Sequence, residues 1–392
     1  MMKRLPILLL LLLLLVPAAG AASALDTLYL SFRPCEDGAS LPVDAIAWTE
    51  SGGKYYLMLP GVADLQDARL WYDGTDASIT VNGQEIRSGT RFSGIDEGSV
   101  LTVSSSKKTY SVTVMRGSAI SAFFITTESG SMAAVDKKKG IEEAGDALFI
   151  EPDGRVAYEG GMEYIRLRGN VATTLDKKNY SVKLESGANF LKMGKAKCWV
   201  LLGSGRDNSI LRNQIVYEMA AYVGLQYTPQ VAQVDVYLDH DYHGVYLLAE
   251  KIEVDDDRVD IADLEEANKA VNDQPLDSYS IVGNLGQSKK NTSKAYRLDH
   301  DPEDITGGYI VEYENYRVRY GYEKVGFTTS RGKVLVVKAP KHCSEAEMEY
   351  ISSFMQSYEN AIFAKDGIDK KTGKRYDELV DFDSLVLKYM LE

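Results

Sequence analysis

Arg168-Gly169-Asn170, Lys177-Lys178-Asn179-Tyr180-Ser181-Val182-Lys183-Leu184, Trp199-Val200-Leu201-Leu202 and Arg212-Asn213 follow one another between residues 166 and 213. The run from Tyr180 alternates, which puts Tyr180, Val182 and Leu184 on one face of a strand and Ser181, Lys183 and Glu185 on the other. Lys183 therefore points away from the core unless a cleft receives it. Trp199 to Leu202 is continuously apolar and reads as a strand buried on both faces. Asp207 then precedes a helix predicted over Ser209 to Val223, where apolar residues recur at helical spacing before Gly224 stops it. Two further strands follow, Ala232 to Leu238 and Gly244-Val245-Tyr246-Leu247-Leu248, joined by the polar turn from Asp239 to His243.

Outward from this stretch the composition changes. Residues 25 to about 117 read as short strands between turn signals, the pattern of an all-β sandwich. Asn82-Gly83 lies between Ile79-Thr80-Val81 and Gln84-Glu85-Ile86, a strong two-residue hairpin signal. Such a module is a spacer or adhesion unit, or binds carbohydrate through Trp71, Tyr72 or Tyr56; aromatic residues in strands are also ordinary core. Beyond Ile120 the pattern is mixed. Residues 255 to 294 are rich in Asp, Asn, Ser and Lys and read as a connector with a short helix around Leu264. Ser344 with Glu347 three residues on has capping-box spacing and opens a helix to about Ala364. Asp381 to Glu392 begins another, with Asp381 as its cap.

The ordered series of motifs, with Gly244-Val245-Tyr246-Leu247-Leu248-Ala249-Glu250-Lys251-Ile252, resembles the CotH family, secreted atypical protein kinases named for spore coat protein H. The resemblance covers residues 120 to 392. It implies an α+β protein-kinase-like domain over 118–392, so that with the signal peptide over 1–24 and the β-sandwich over 25–117 read from the residues the chain is multidomain. That domain would comprise an N-lobe to about 253, a connector to about 300 and a partial C-lobe. The family's catalytic and metal-binding aspartates lie beyond the point reached at Glu392, so the domain is expected to be incomplete at its C-terminus, with no catalytic or metal residue in this chain and no transfer activity.

The implied cofactors are ATP and magnesium. Phosphoryl transfer needs a cation on the phosphates, and Lys183 resembles the strand lysine of kinases. Glu218, on the helix after Asp207, is the carboxylate expected to hold it, although a solvated helical glutamate reads the same way. Arg212 sits in a first turn, where the helix dipole disfavours it, which suggests a phosphate or a carboxylate partner. Gly169 before Asn170 would let backbone approach phosphates beside Arg168, and Gly-Asn is equally a turn signal. Tyr246 to Glu250 resembles a kinase hinge. Lys183, Arg168, Asn170, Arg212, Glu218 and Glu250 are thus the expected nucleotide-binding residues.

Met1-Met2-Lys3-Arg4, the apolar run from Leu5 to Val16 and Ala22-Ser23-Ala24 have the three-part layout of a secretory leader. The run is shorter than the about 20 residues of a spanning helix. A secreted or extracytoplasmic protein with no membrane span is expected. The formal net charge of −13 argues against nucleic acid as a partner, since that binding needs a concentrated basic surface. It suits a basic, Ser-rich extracytoplasmic or coat protein as substrate, and leaves a cell-surface polymer as a partner for the sandwich. The three cysteines, Cys35, Cys198 and Cys343, form no disulfide framework or metal knuckle. Asp255-Asp256-Asp257 lacks the glycine and final glutamate of a calcium loop, and His240 with His243 sits on a polar hairpin tip.

Overall fold

A computed structural model describes residues 28–34, 41–72, 77–105, 108–285, 290–313 and 325–391. The expected leader and Cys35 lie outside the described residues. The chain is predominantly β, with several sheets and few helices. It divides into two compact units, Met1–Thr126 with Leu148–Val156 and Asp235–Gly244, and Thr127–Ala147 with Ala157–Val234 and Val245–Glu392.

In the first unit a four-stranded sheet runs in the order Ile46–Ala47, Leu28–Ser31, Ala68–Tyr72, Arg91–Phe92. A six-stranded sheet runs Thr49–Ser51, Lys54–Leu59, Thr109–Arg116, Val100–Ser104, Ser78–Val81, Gln84–Ile86. Alternate residues of both sheets, Leu28, Leu30 and Leu70 from one and Leu57, Ile79, Leu101 and Val112 from the other, enter a single apolar cluster. Removing such side chains from water supplies most of the drive for strands this short to order. Asn82 and Gly83 both take positive φ, 49° and 80°, and bring Val81 opposite Gln84, as a primed two-residue turn requires.

Seven strands follow a closed hydrogen-bonded order: Ser121–Thr127, Glu142–Ile150, Val156–Arg168, Asn179–Asn189, Lys195–Leu202, Asp241–Glu250, Val231–Leu238. The double burial read for Trp199 to Leu202 has two separate causes. Trp199 packs on Phe190, with ring centroids 4.6 Å apart. On the opposite face Val200 and Leu202 join Leu247 and Ala249 under Tyr217 of the helix Arg212–Tyr222. That helix starts three residues later than the spacing predicts. The Asp207 carboxylate takes the amides of both Ser209 and Arg212, and Ile210 takes a positive φ of 56°, which holds the chain in a bend until Arg212. The apolar residues that recur along this helix are largely uncovered: Ile215, Val216 and Met219 are each 49 % exposed, and Ala220 is the buried residue.

A five-stranded antiparallel sheet follows, ordered Ile281–Gly283, Ser293–Tyr296, Gly326–Thr328, Val334–Ala339, Ile310–Tyr313. Its first two strands come from the polar segment expected as a connector, which also carries the helix Leu264–Val271 capped by Asp263. The helix Glu345–Phe363 has the predicted Ser344/Glu347 capping box and buries Met348 and Ile351 against Phe327 and Leu335 of the sheet. Asp381 caps Phe382–Leu391 through the Ser384 amide.

Candidate functional site

The motif residues separate into those that build the sheet and those that face outward from it. Lys177 donates to the Val245 carbonyl and lies 4.6 Å from the centre of the Tyr246 ring. The Asn179 side chain accepts the Gly203 amide at 2.7 Å. A Cβ on Gly203 would come within 2.7 Å of the Lys178 carbonyl, so glycine is required where the turn after Leu202 passes that backbone. Tyr180 is buried and donates to Asp136 at 2.8 Å; burial, then the Asp136 carboxylate, push its phenol far up. These residues hold strands together.

Lys183 faces the other way. Tyr164, Lys183 and Cys198 lie directly opposite one another across three neighbouring strands. Between Met162 and Tyr164 the register shifts, so Glu163 and Tyr164 together oppose Lys183, the arrangement of a β-bulge. The bulge gives Lys183 its partner: Glu163 Oε2 lies 2.5 Å from the ammonium, and Glu163 Oε1 lies 3.7 Å from Lys197. Each responds as an opposed charge should. The hydrogen bond from Lys183 holds the Glu163 carboxyl below its ordinary range, and the bond to Glu163 raises Lys183.

Around this pair, Lys251 contacts Glu253 at 2.8 Å. Burial works against the Lys251 ammonium, but the Glu253 charge and hydrogen bond, together with Cys198 and Tyr164, outweigh it and the pKa is raised. Burial raises the Cys198 thiol against the pull of Lys251 and Lys183, so it is a neutral filler rather than a nucleophile. Arg166 pairs with Glu142 at 2.5 Å and lies 4.6 Å from the centre of the Tyr164 ring. The row presents ammonium groups, each paired with a carboxylate. Such groups suit phosphate oxygens. Among the described residues no three His, Cys, Asp or Glu side chains gather to hold a metal ion.

The remaining expected residues fall elsewhere. Arg168 shares the face of Tyr164 and Arg166, but opposes Asn179, four register steps or about 13 Å from Lys183. The Asn170 side-chain oxygen Oδ1 and the Gly169 backbone oxygen both accept from Lys139, at 3.1 and 2.8 Å. Arg212 meets Asp207 at 3.5 Å with its side chain 79 % exposed; the misfit noted at the helix start has a carboxylate partner. Glu218 is exposed and accepts from Gln214 at 2.7 Å, while the carboxylate on Lys183 is that of Glu163. Glu250 opposes Trp199, on the face away from Lys183. It is buried against Arg258 at 2.8 Å and accepts the Gln230 amide at 2.7 Å. Burial raises its pKa despite both partners.

Sequence reading missed Glu163, Lys251 and Arg258. Arg258 was legible as the one basic residue after Asp255-Asp256-Asp257, a run that serves the turn: Asp255 takes the Asp257 amide and Asp257 takes the Lys195 amide. Glu163 carried no signal, because plain alternation puts it on the face opposite Tyr164.

A family model described as CotH kinase protein matches residues 165–390, a span that includes Arg168, Lys183, Arg212, Glu218 and Glu250. A search of curated proteins gave no match. Among the described residues no helix is long and apolar enough to cross a membrane.

Proposed function

The chain belongs to the CotH kinase family, and on that premise we propose that it is a kinase-like ATP-binding protein in which Lys183, steadied by Glu163, receives the phosphates. The observation that carries this reading is the Lys183–Glu163 pair in line with Tyr164 and Cys198 and beside Lys251 on one face. It reproduces the strand lysine and carboxylate of a kinase with the carboxylate drawn from the neighbouring strand instead of from a helix. Arg168, on the same face, is the second phosphate-facing candidate. Asn170, Arg212, Glu218 and Glu250 act through the local structure they hold.

In this reading the seven-stranded part is an N-lobe, the five-stranded sheet with its helices opens a C-lobe, and the two-sheet part of the first unit is a sandwich module. The protein is secreted, and the acceptor is the Ser or Thr of an extracytoplasmic or coat protein. Titration of the full chain with a fluorescent ATP analogue, with and without magnesium, tests the site. Lys183→Ala weakens binding at least about tenfold, the loss expected for a charge-assisted bond; equal affinity of variant and parent overturns the assignment. Incubation with labelled ATP, magnesium and a Ser-rich acceptor reads transfer directly.

A second reading concerns the first unit alone. Trp48, Tyr55 and Tyr110 form one half-buried aromatic cluster with centroids 4.9 to 5.1 Å apart, which suits contact with a surface polymer. Absence of retention on any glycan or cell-wall polymer counts against it.

A further inference from the structure

The helix Glu345–Phe363, Thr292 just before the strand Ser293–Tyr296, the strand Gly326–Thr328 and the loop after Ala364 border an open cavity of about 260 Å³ that shares no residue with the Lys183 row. Its chemistry can be worked out by elimination. Among the described residues that line it, Asp369 is the only carboxylate and Lys371 the only ammonium, so this lining has no net charge. Asp369 is 2 % exposed and accepts from Ser357 Oγ at 2.7 Å, Thr372 Oγ1 at 2.8 Å, Asn360 Nδ2 at 3.2 Å and the Lys371 amide at 3.1 Å. Burial opposes its ionisation, but these bonds hold its pKa down to about 2. Four donors fill the roughly four acceptor positions of a carboxylate, which leaves little for a cation. One ammonium at the mouth does not make a polyanion site.

What remains is a wall of hydroxyls and amides. Ser357 Oγ and Thr372 Oγ1 lie 2.8 Å apart, each also on Asp369, so two protons serve three contacts and lone pairs are left over. Thr292 and Thr328 share a bond of 2.8 Å. Groups that both donate and accept are complemented by a ligand whose own groups do both, and alcohol hydroxyls are the simplest of these. Phe327 supplies an apolar patch in the floor, in keeping with sites that combine an apolar surface with placed polar groups. The volume equals roughly nine waters at about 30 Å³ each, room for one small ring with its hydroxyls. The bonds to Asp369 fix the loop to the helix before any ligand arrives, so little ordering is left to oppose binding.

We propose that this cavity is a binding site for one neutral polyhydroxylated molecule, a monosaccharide or an alditol. The inference is independent of the nucleotide reading. Saturation-transfer NMR of the full chain with glucose, N-acetylglucosamine and sorbitol tests it, the sugars and the alditol separating ring from open-chain ligands. At least one gives a saturable signal with a dissociation constant on the order of 1 mM. Ser353→Trp, at an exposed position on the mouth, weakens that signal at least about tenfold, the scale of one or two lost hydrogen bonds. It leaves the thermal melt and the ATP titration unchanged. No saturable signal from any of the three, or a signal indifferent to Ser353→Trp, overturns the proposal.

Discussion

Arg258 is the residue on which a single change has the clearest thermodynamic reading. Its side chain is 1 % exposed, its guanidinium lies 5.0 Å from the centre of the Trp199 ring, and it donates to Glu250 and to the Met193 carbonyl. Arg258→Met leaves a buried carboxylate without its cation, a loss of about 3–5 kcal/mol. The pH dependence has a definite sign. Burial already raises the folded-state pKa of Glu250, and removing Arg258 raises it further, so the folded variant binds a proton more readily than the unfolded chain. Stability of the variant relative to the parent should therefore improve as pH falls toward the unfolded value of about 4.3. Urea melts at pH 7.5 and 5 check this, and a deficit that does not shrink would show that Glu250 finds another partner. At this scale Lys183 was legible, because alternation alone sets its face. Its partner was not, because a bulge follows from backbone geometry that residue types do not announce.

Elements were legible where local chemistry closes on itself. The Ser344/Glu347 box and the Asp381 cap lie where the sequence puts them, since each needs only a side chain and an amide three residues away. Ser344 also donates to Asp301, so Ser344→Ala should cost at least about 1–2 kcal/mol and fray the start of Glu345–Phe363. Amide hydrogen exchange near Met348 checks this, and unchanged protection there would show that packing on the sheet alone sets the helix start. The helix Arg212–Tyr222 was misjudged for the opposite reason. Its start depends on how one carboxylate, Asp207, divides itself between two amides. Its apolar residues look like core by period, although only tertiary context decides what covers them.

For the whole molecule, the change from a strand-rich start to a mixed second part could be read from composition, whereas the five-stranded sheet could not. Its strands are three to six residues long and two of them lie in a polar segment, so non-local pairing rather than pattern creates them. Helices Arg212–Tyr222 and Phe382–Leu391 touch and together leave Ile215, Val216, Met219, Tyr389 and Met390 largely exposed. Apolar surface on this scale favours association. Light scattering should show growth with concentration that Met219→Lys with Tyr389→Lys suppresses, and equal monodispersity of both proteins would refute this. The bulge at Glu163 has a consequence for heredity. Before it the inward residues are Tyr158 and Met162, and after it Ile165 and Leu167, so the parity of the strand changes at that one position. Loss of codon 163 would restore unbroken alternation, returning every neighbour to its present side while erasing the carboxylate on Lys183. An in-frame deletion, ordinarily the harshest lesion a strand can suffer, is here expected to leave a folded protein with weakened nucleotide binding, by no more than Lys183→Ala causes, a separation-of-function allele that circular dichroism and the ATP titration would reveal together.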